Sequence, residues 1–175
     1  MKYYIFLVIM VCCMPFVMAQ QTSSIDFVIK NVGISVDGYF NAFNVSSKFD
    51  TANKLIDISG NVTVKSIITG IESRDEHLLE EEYFNAKTYP LISLQTITLK
   101  QTSSNRYTAT VDVTIKDKTK RITIPLTVEY SESSRKVTSE FEINRRDFGV
   151  GGRSFVMSNT VKISVVHIEK INGDN

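Results

Sequence analysis

The chain has 175 residues, 42% of them apolar, with 20 Lys and Arg against 19 Asp and Glu, two cysteines and no tryptophan. That length makes one ordinary domain with room for a sizeable core. A charge balance this close to zero, with no basic patch, argues against nucleic acid and anionic membrane surfaces as partners and suits an uncharged or weakly charged ligand.

Residues 1–19 read as a secretory signal peptide. Lys2 supplies the positive charge, Tyr4 to Val17 is nearly all apolar, and Val17-Met18-Ala19 ends in the small residue that precedes cleavage. The run is short for a membrane span, and a retained N-terminal anchor helix is the alternative reading. Cys12 and Cys13 lie within it, and Ile9-Met10-Val11 makes a poor lipobox, so the mature domain, 20–175, is expected to carry no disulfide, thiol or lipid anchor. Without Lys2 it is formally neutral. The expected compartment is periplasmic or extracellular.

From Ile25 the chain alternates apolar and polar residues with the two-residue period of strands. Ile25, Phe27 and Ile29 form the first dry face, and Ile34, Val36, Gly38 and Phe40 the second. The phase then slips by one before Phe43, Val45 and Phe49, which predicts a bulge or sharp bend at Asn41-Ala42. Thr51 to Lys54 turns, and Ile56, Ile58, Gly60, Val62 and Val64 alternate unbroken.

Gly70 to Pro90 is the one stretch that does not read as β. Ser73 and Glu76 fit a capping box ahead of a short helix over about 74–82, with Leu78, Leu79 and Tyr83 facing inward and Glu80 to Glu82 facing water. Pro90 forbids helical continuation.

Strands resume over 91–100, where Ile92 and Leu94 give way to Ile97 and Leu99 through another phase slip. Tyr107, Ala109, Val111, Val113 and Ile115 alternate, Asp117-Lys118 turns, and Ile122, Ile124, Leu126, Val128 and Tyr130 return as the second arm of a hairpin. Val137, Ser139, Phe141 and Ile143 come next. Asn144 to Gly152 then offers three glycines able to take left-handed angles, and Val161, Ile163 and Val165 close the pattern. About eight long amphipathic antiparallel strands with one helical insertion predict an all-β, up-and-down barrel of lipocalin type, with a sandwich as the alternative.

Two motifs carry a resemblance. Arg74-Asp75-Glu76-His77-Leu78 leading to Tyr89-Pro90, and Asn144-Arg145-Arg146-Asp147-Phe148-Gly149 before the last strand, resemble the YceI family of lipocalin-like, polyisoprenoid-binding bacterial proteins. Ile25 to Gly33, Val36 to Phe40 and Thr119-Lys120 extend the likeness over Ser24 to His167. It implies an exported barrel that encloses a polyisoprenoid or isoprenoid quinone, with no other cofactor and no stable membrane insertion. A homodimer is compatible with the sequence.

The residues themselves offer little catalysis. His77 and His167 without a thiolate fall short of a zinc site, no nucleophile elbow is present, and the glycine run lacks the following helix that a phosphate loop needs. Arg74, Asp75, His77, Arg145 and Asp147 are expected to be structural, the guanidinium forks suiting bidentate ties to Asp75 or Asp147. The expected ligand lining is the inward set: Val36, Gly38, Phe40, Phe43, Ile58, Gly60, Val62, Val64, Leu94, Ala109, Val111, Val113, Ile124, Leu126, Val128, Ser139, Phe141 and Ile163. On the residues alone these could simply pack; the resemblance favours a hollow interior. An enzyme acting on an isoprenoid lipid and a filled structural barrel are the rival readings.

Overall fold

A computed structural model describes residues 22–171; the expected signal peptide and both cysteines lie outside them. The strands are β1 (Ser24–Asn31), β2 (Ile34–Phe40), β3 (Phe43–Phe49), β4 (Leu55–Thr63), β5 (Ile67–Ile68), β6 (Leu91–Gln101), β7 (Arg106–Ile115), β8 (Lys118–Tyr130), β9 (Ser134–Asn144) and β10 (Met157–Lys170), with helix α1 (Glu72–Leu78) between β5 and β6. All pairings are antiparallel, in the order β3-β4-β6-β7-β8-β9-β10-β1-β2-β5.

The two ends of that order belong to the same two lengths of chain. β2 and β3 are one run bent at Asn41–Ala42, and β4 and β5 are one run interrupted by a 3-10 turn at Val64–Ser66. β3 pairs with β4 and β2 with β5, and the bends are tied by Thr63 N–H to Ala42 O (2.9 Å) and Asn41 N–H to Ser66 O (3.0 Å). The sheet therefore curls back on itself as eight staves, each beside its neighbour in sequence, the lipocalin-like arrangement expected from the alternation. The slip in β6 is a bulge between Thr96 and Thr98.

Three local expectations need correction. A register shift between Lys48 and Phe49 turns Leu55 inward and leaves Ile56 54% exposed, because a bulge inverts the facing of the residues beyond it. The tight turn before β8 is Lys116–Asp117, with Lys116 at φ 58. Helix α1 begins at Glu72, so Ser73 lies inside it, and its N-cap, Ile71, offers no side-chain bond. No capping box forms.

One seam in the wall is incomplete. β8 and β9 pair only from Thr127↔Thr138 to Tyr130↔Arg135. Beyond that fork the two strands part, and the last tie is Ser139 Oγ donating to Pro125 O at 2.7 Å. Pro125 stands on the edge this creates, the kind of position to which a residue without an N–H is confined.

The connections at 50–54, 102–105 and 131–133 mark one end of the barrel, which is filled. Leu55, Tyr107, Ala109, Val111, Val128 and Val137 are buried there, and Leu55 N–H donates to the Tyr107 hydroxyl (3.3 Å). Outside them Arg135 lies over the Phe49 ring at 4.4 Å, with the Glu169 carboxylate 3.6 Å from it and Ser47 Oγ donating to Glu169 at 3.2 Å. Ala109 is 0% exposed. Replacing it with Phe should therefore overpack, costing about 1–3 kcal/mol; urea unfolding of wild type and Ala109→Phe measures this, and an unchanged midpoint would mean that the end is hollow.

His167 sits on β10 opposite Val137 of β9. Burial pushes its imidazole below the ordinary value, partly offset by the Glu169 carboxylate. The folded state thus takes up a proton less readily than the unfolded chain, so this group's share of stability is present above about pH 6.5 and is lost as pH falls below it. His167→Gln should reduce the stability lost between about pH 7.5 and about pH 5.5 relative to wild type, measured by denaturant titration at each pH.

Candidate functional site

Toward the opposite end, where the β1–β2 turn, the α1 insertion, the β7–β8 turn and the 145–156 loop gather, the barrel is hollow. A cavity of about 240 Å³ runs inside it, walled almost wholly by carbon. Of the expected lining, Val36, Phe40, Ile58, Gly60, Val62, Leu94, Val113, Ile124, Leu126, Ser139, Phe141 and Ile163 face this cavity.

The remaining expected residues lie elsewhere. Ala109, Val111 and Val128 belong to the filled core. Phe43, just past the bend, packs on the Phe40–Val62–Ile67 cluster, and Val64 has left the strand for the 3-10 turn, where the two-residue alternation no longer holds. Gly38 makes room for a protein ring and not for a ligand: a Cβ there would stand 2.3 Å from the Phe27 ring, which lies across it from the paired strand. The wall missing from the expected lining is β1 and most of β10, whose Ile25, Phe27, Ile29, Val161 and Val165 border the cavity. Their alternation carried the signal. Leu78 and Tyr83, expected to face inward from the insertion, join the lining, as do Phe84, Val150 and Met157 at and near the connections, which had no period to betray them.

Three charged residues border the cavity, and each is already engaged. Asp26 accepts from Ser24 Oγ at 2.7 Å. Arg74 donates from Nε to Thr69 Oγ1 (2.7 Å) and from Nη2 to Thr69 O (2.6 Å), while Asp75 Oδ1 accepts the Thr69 N–H (2.9 Å) and hydroxyl. The Arg-Asp pair thus grips one threonine at the end of β5 and fixes α1 to the barrel; the expected fork between Arg74 and Asp75 does not form. His77 is half-exposed, 2.9 Å from the Glu80 carboxylate and edge-on to Tyr83, with ring centres 4.8 Å apart.

Arg145 is the third, only 4% exposed and without a carboxylate. Its Nε donates to Ser158 O (2.8 Å), Nη1 to the carbonyls of Val150 (2.7 Å), Gly151 (2.8 Å) and Gly152 (3.0 Å), and Nη2 to Met157 O (3.3 Å) and Asn159 Oδ1 (3.4 Å). Asp147, its expected partner, is exposed. Burial lowers the Arg145 pKa, but guanidinium stays charged in proteins, so the oxygen dipoles replace a counter-ion. Gly149, Gly151 and Gly152 all take positive φ, at 69°, 66° and 44°, which lets the loop curl its carbonyls around the cation. Gly151 is also where the loop meets the insertion: its N–H donates to Glu82 O (2.9 Å), and a Cβ would fall 2.8 Å from the Tyr83 ring.

With its donors committed, Arg145 has none to offer a ligand. Among the described residues no group of three or more His, Cys, Asp or Glu side chains could hold a metal ion. The site offers an apolar slot in which Arg145, Thr69 and Ser139 are already hydrogen-bonded to protein oxygens. Because Lys cannot reproduce a planar fork of five donors, Arg145→Lys should leave buried carbonyls unsatisfied at about 1–3 kcal/mol each. A drop in thermal midpoint comparable to that of Arg145→Ala is expected; full rescue by Lys would show that charge alone matters.

Residues 16–168 match the model of the YceI-like domain. A UPF0312 protein of Yersinia enterocolitica is 30% identical over 106 residues, 59% of this chain and 55% of that protein, and one from Photorhabdus laumondii is 33% identical over 105 residues, 58% and 54%. The aligned part of the chain thus spans about half the length of these relatives. Among solved structures, BcnA of Burkholderia cenocepacia superposes with a TM-score of 0.79 at 25% identity, covering 84% of this chain and 96% of that one. A polyisoprenoid binding domain from Saccharophagus degradans, implicated in plant cell wall breakdown, superposes with a TM-score of 0.68 at 17% identity, covering 86% and 94%.

Proposed function

The chain belongs to the YceI-like family, and on that premise we propose that it is an exported binding protein, not an enzyme, which holds one long apolar lipid in its barrel. A polyisoprenoid or an isoprenoid quinone is the ligand this reading favours. The observation that carries it is the cavity itself: an apolar slot bordered by Arg145, whose donors are taken by protein oxygens, and by Arg74, whose Nε and Nη2 are held by Thr69. A slot of about 240 Å³ lies at the small end of ligand pockets, which typically run to roughly 300–1,000 Å³. It suits a narrow chain better than a bulky ring. The Saccharophagus domain of like fold, named for binding polyisoprenoids, supports the same ligand class.

The driving term is removal of apolar ligand surface from water, about 25 cal/mol per Å² before ordering costs. Nothing in this mode of binding requires a charged head group inside the barrel. A neutral head, or one left at the mouth, fits a buried arginine, Arg145, whose donors are engaged.

Organic extraction of protein purified under native conditions, followed by mass spectrometry, tests the proposal directly. An isoprenoid lipid near one per chain is expected, and none above background would overturn it. Ile163→Trp supplies the companion test, since its ring would enter ligand space and not packed core. Delipidated Ile163→Trp should melt close to delipidated wild type while its lipid content falls several-fold; normal lipid content in a well-folded variant would place the ligand elsewhere.

A further inference from the structure

The cavity is apolar, and so is one side of its mouth. Asn31 and Met157 line the cavity and face one another across the β1–β10 pair. The residues just beyond them, Val32, Ile34, Phe155 and Val156, are all exposed, Phe155 completely and Ile34 by 71%. Val32 N–H donates to Val156 O at 2.8 Å, which joins the β1–β2 turn and the loop before β10 into one platform. Ile34 continues the inward alternation of Val36 and Phe40 but projects past the wall. Val32 is a β-branched residue at φ 52, where asparagine or glycine would sit more easily. Neither the turn nor solubility calls for valine here.

We propose that this rim docks on the surface of a lipid bilayer, so that the cavity opens onto the acyl region from which its ligand comes. The inference rests on the carrier reading above and adds the place of exchange. A long apolar lipid has almost no free aqueous concentration, and its transfer through water would expose the surface that the barrel exists to cover. A continuous apolar path from slot to rim to bilayer avoids that exposure. Overall neutrality argues against capture by charge, and the hold is accordingly hydrophobic. Charge does not oppose it either: residues 30–36 and 151–161 carry Lys30 and Arg153 and no acid, and the α1 segment brings one carboxylate, Glu82, beside Gly152.

The chain has no tryptophan, so Phe155→Trp places a single indole in the rim. With vesicles of phosphatidylethanolamine and phosphatidylglycerol, the emission of that delipidated variant should shift to the blue and be quenched by brominated acyl chains. In flotation, Phe155→Glu with Val156→Glu should reduce vesicle binding by about tenfold or more, whereas Ile97→Glu, at an exposed apolar position on the wall, should leave it unchanged. Emission unmoved by vesicles, or equal loss with Ile97→Glu, overturns the proposal. A blue shift without vesicles that grows with protein concentration and accompanies a doubled mass also overturns it, and assigns the face to a second copy. An empty extract alongside vesicle-dependent emission would leave the docking standing and remove the carrier reading.

Discussion

Closure of the sheet depends on two bends. An antiparallel sheet with strands of 11 to 14 residues must either leave long edges exposed or curl until its edges meet. Here they meet because β2–β3 and β4–β5 each turn a corner at the same level and remain paired on both sides of it. The bend at Asn41–Ala42 and the 3-10 turn at Val64–Ser66 are held against each other by two backbone bonds. Every inward position is defined by that closure, and so is the existence of an inside.

The inside is hollow at one end and filled at the other because the two ends carry different connections. Short turns leave the filled end to its own side chains, and Tyr107, Leu55, Val128 and Val137 meet across it. At the other end two of the connections are long. The α1 insertion and the glycine loop stand on the rim and are braced by Arg74–Asp75 on Thr69 and by Arg145 on six oxygens, so they roof part of the space without descending into it. A buried cation surrounded by dipoles is costly to assemble, but it rigidifies a loop that has no regular structure of its own. The unpaired stretch between β8 and β9 belongs to the same end, where a wall free of cross-strand bonds can yield to a ligand more readily than a fully laddered one.

An apolar cavity open to water stores unfavourable surface. Filling it with valine and leucine would add stability, as the opposite end does. Keeping it open is a property of the fold's use, and the exposed residues around the mouth extend the same bias outward: the polypeptide leaves apolar carbon uncovered along one continuous line.

The sequence by itself determined the period of the strands, the bend at Asn41–Ala42, the bulge in β6, the single helical insertion and the glycine loop, because backbone geometry imposes alternation and turn chemistry locally. It carried the family likeness as well, in the motifs at Arg74 and Arg145. It could say that Ala109 and Ile124 both face inward, and no more, since alternation assigns a face and not a depth. Only the tertiary structure decided that Ile124 borders the cavity while Ala109 is packed solid, that Phe27 takes the space above Gly38, and that Arg145 binds carbonyls and not Asp147. Those outcomes depend on which side chains arrive from strands distant in sequence, on shear between staves and on where the long connections come to rest. None of these leaves a periodic mark in the chain.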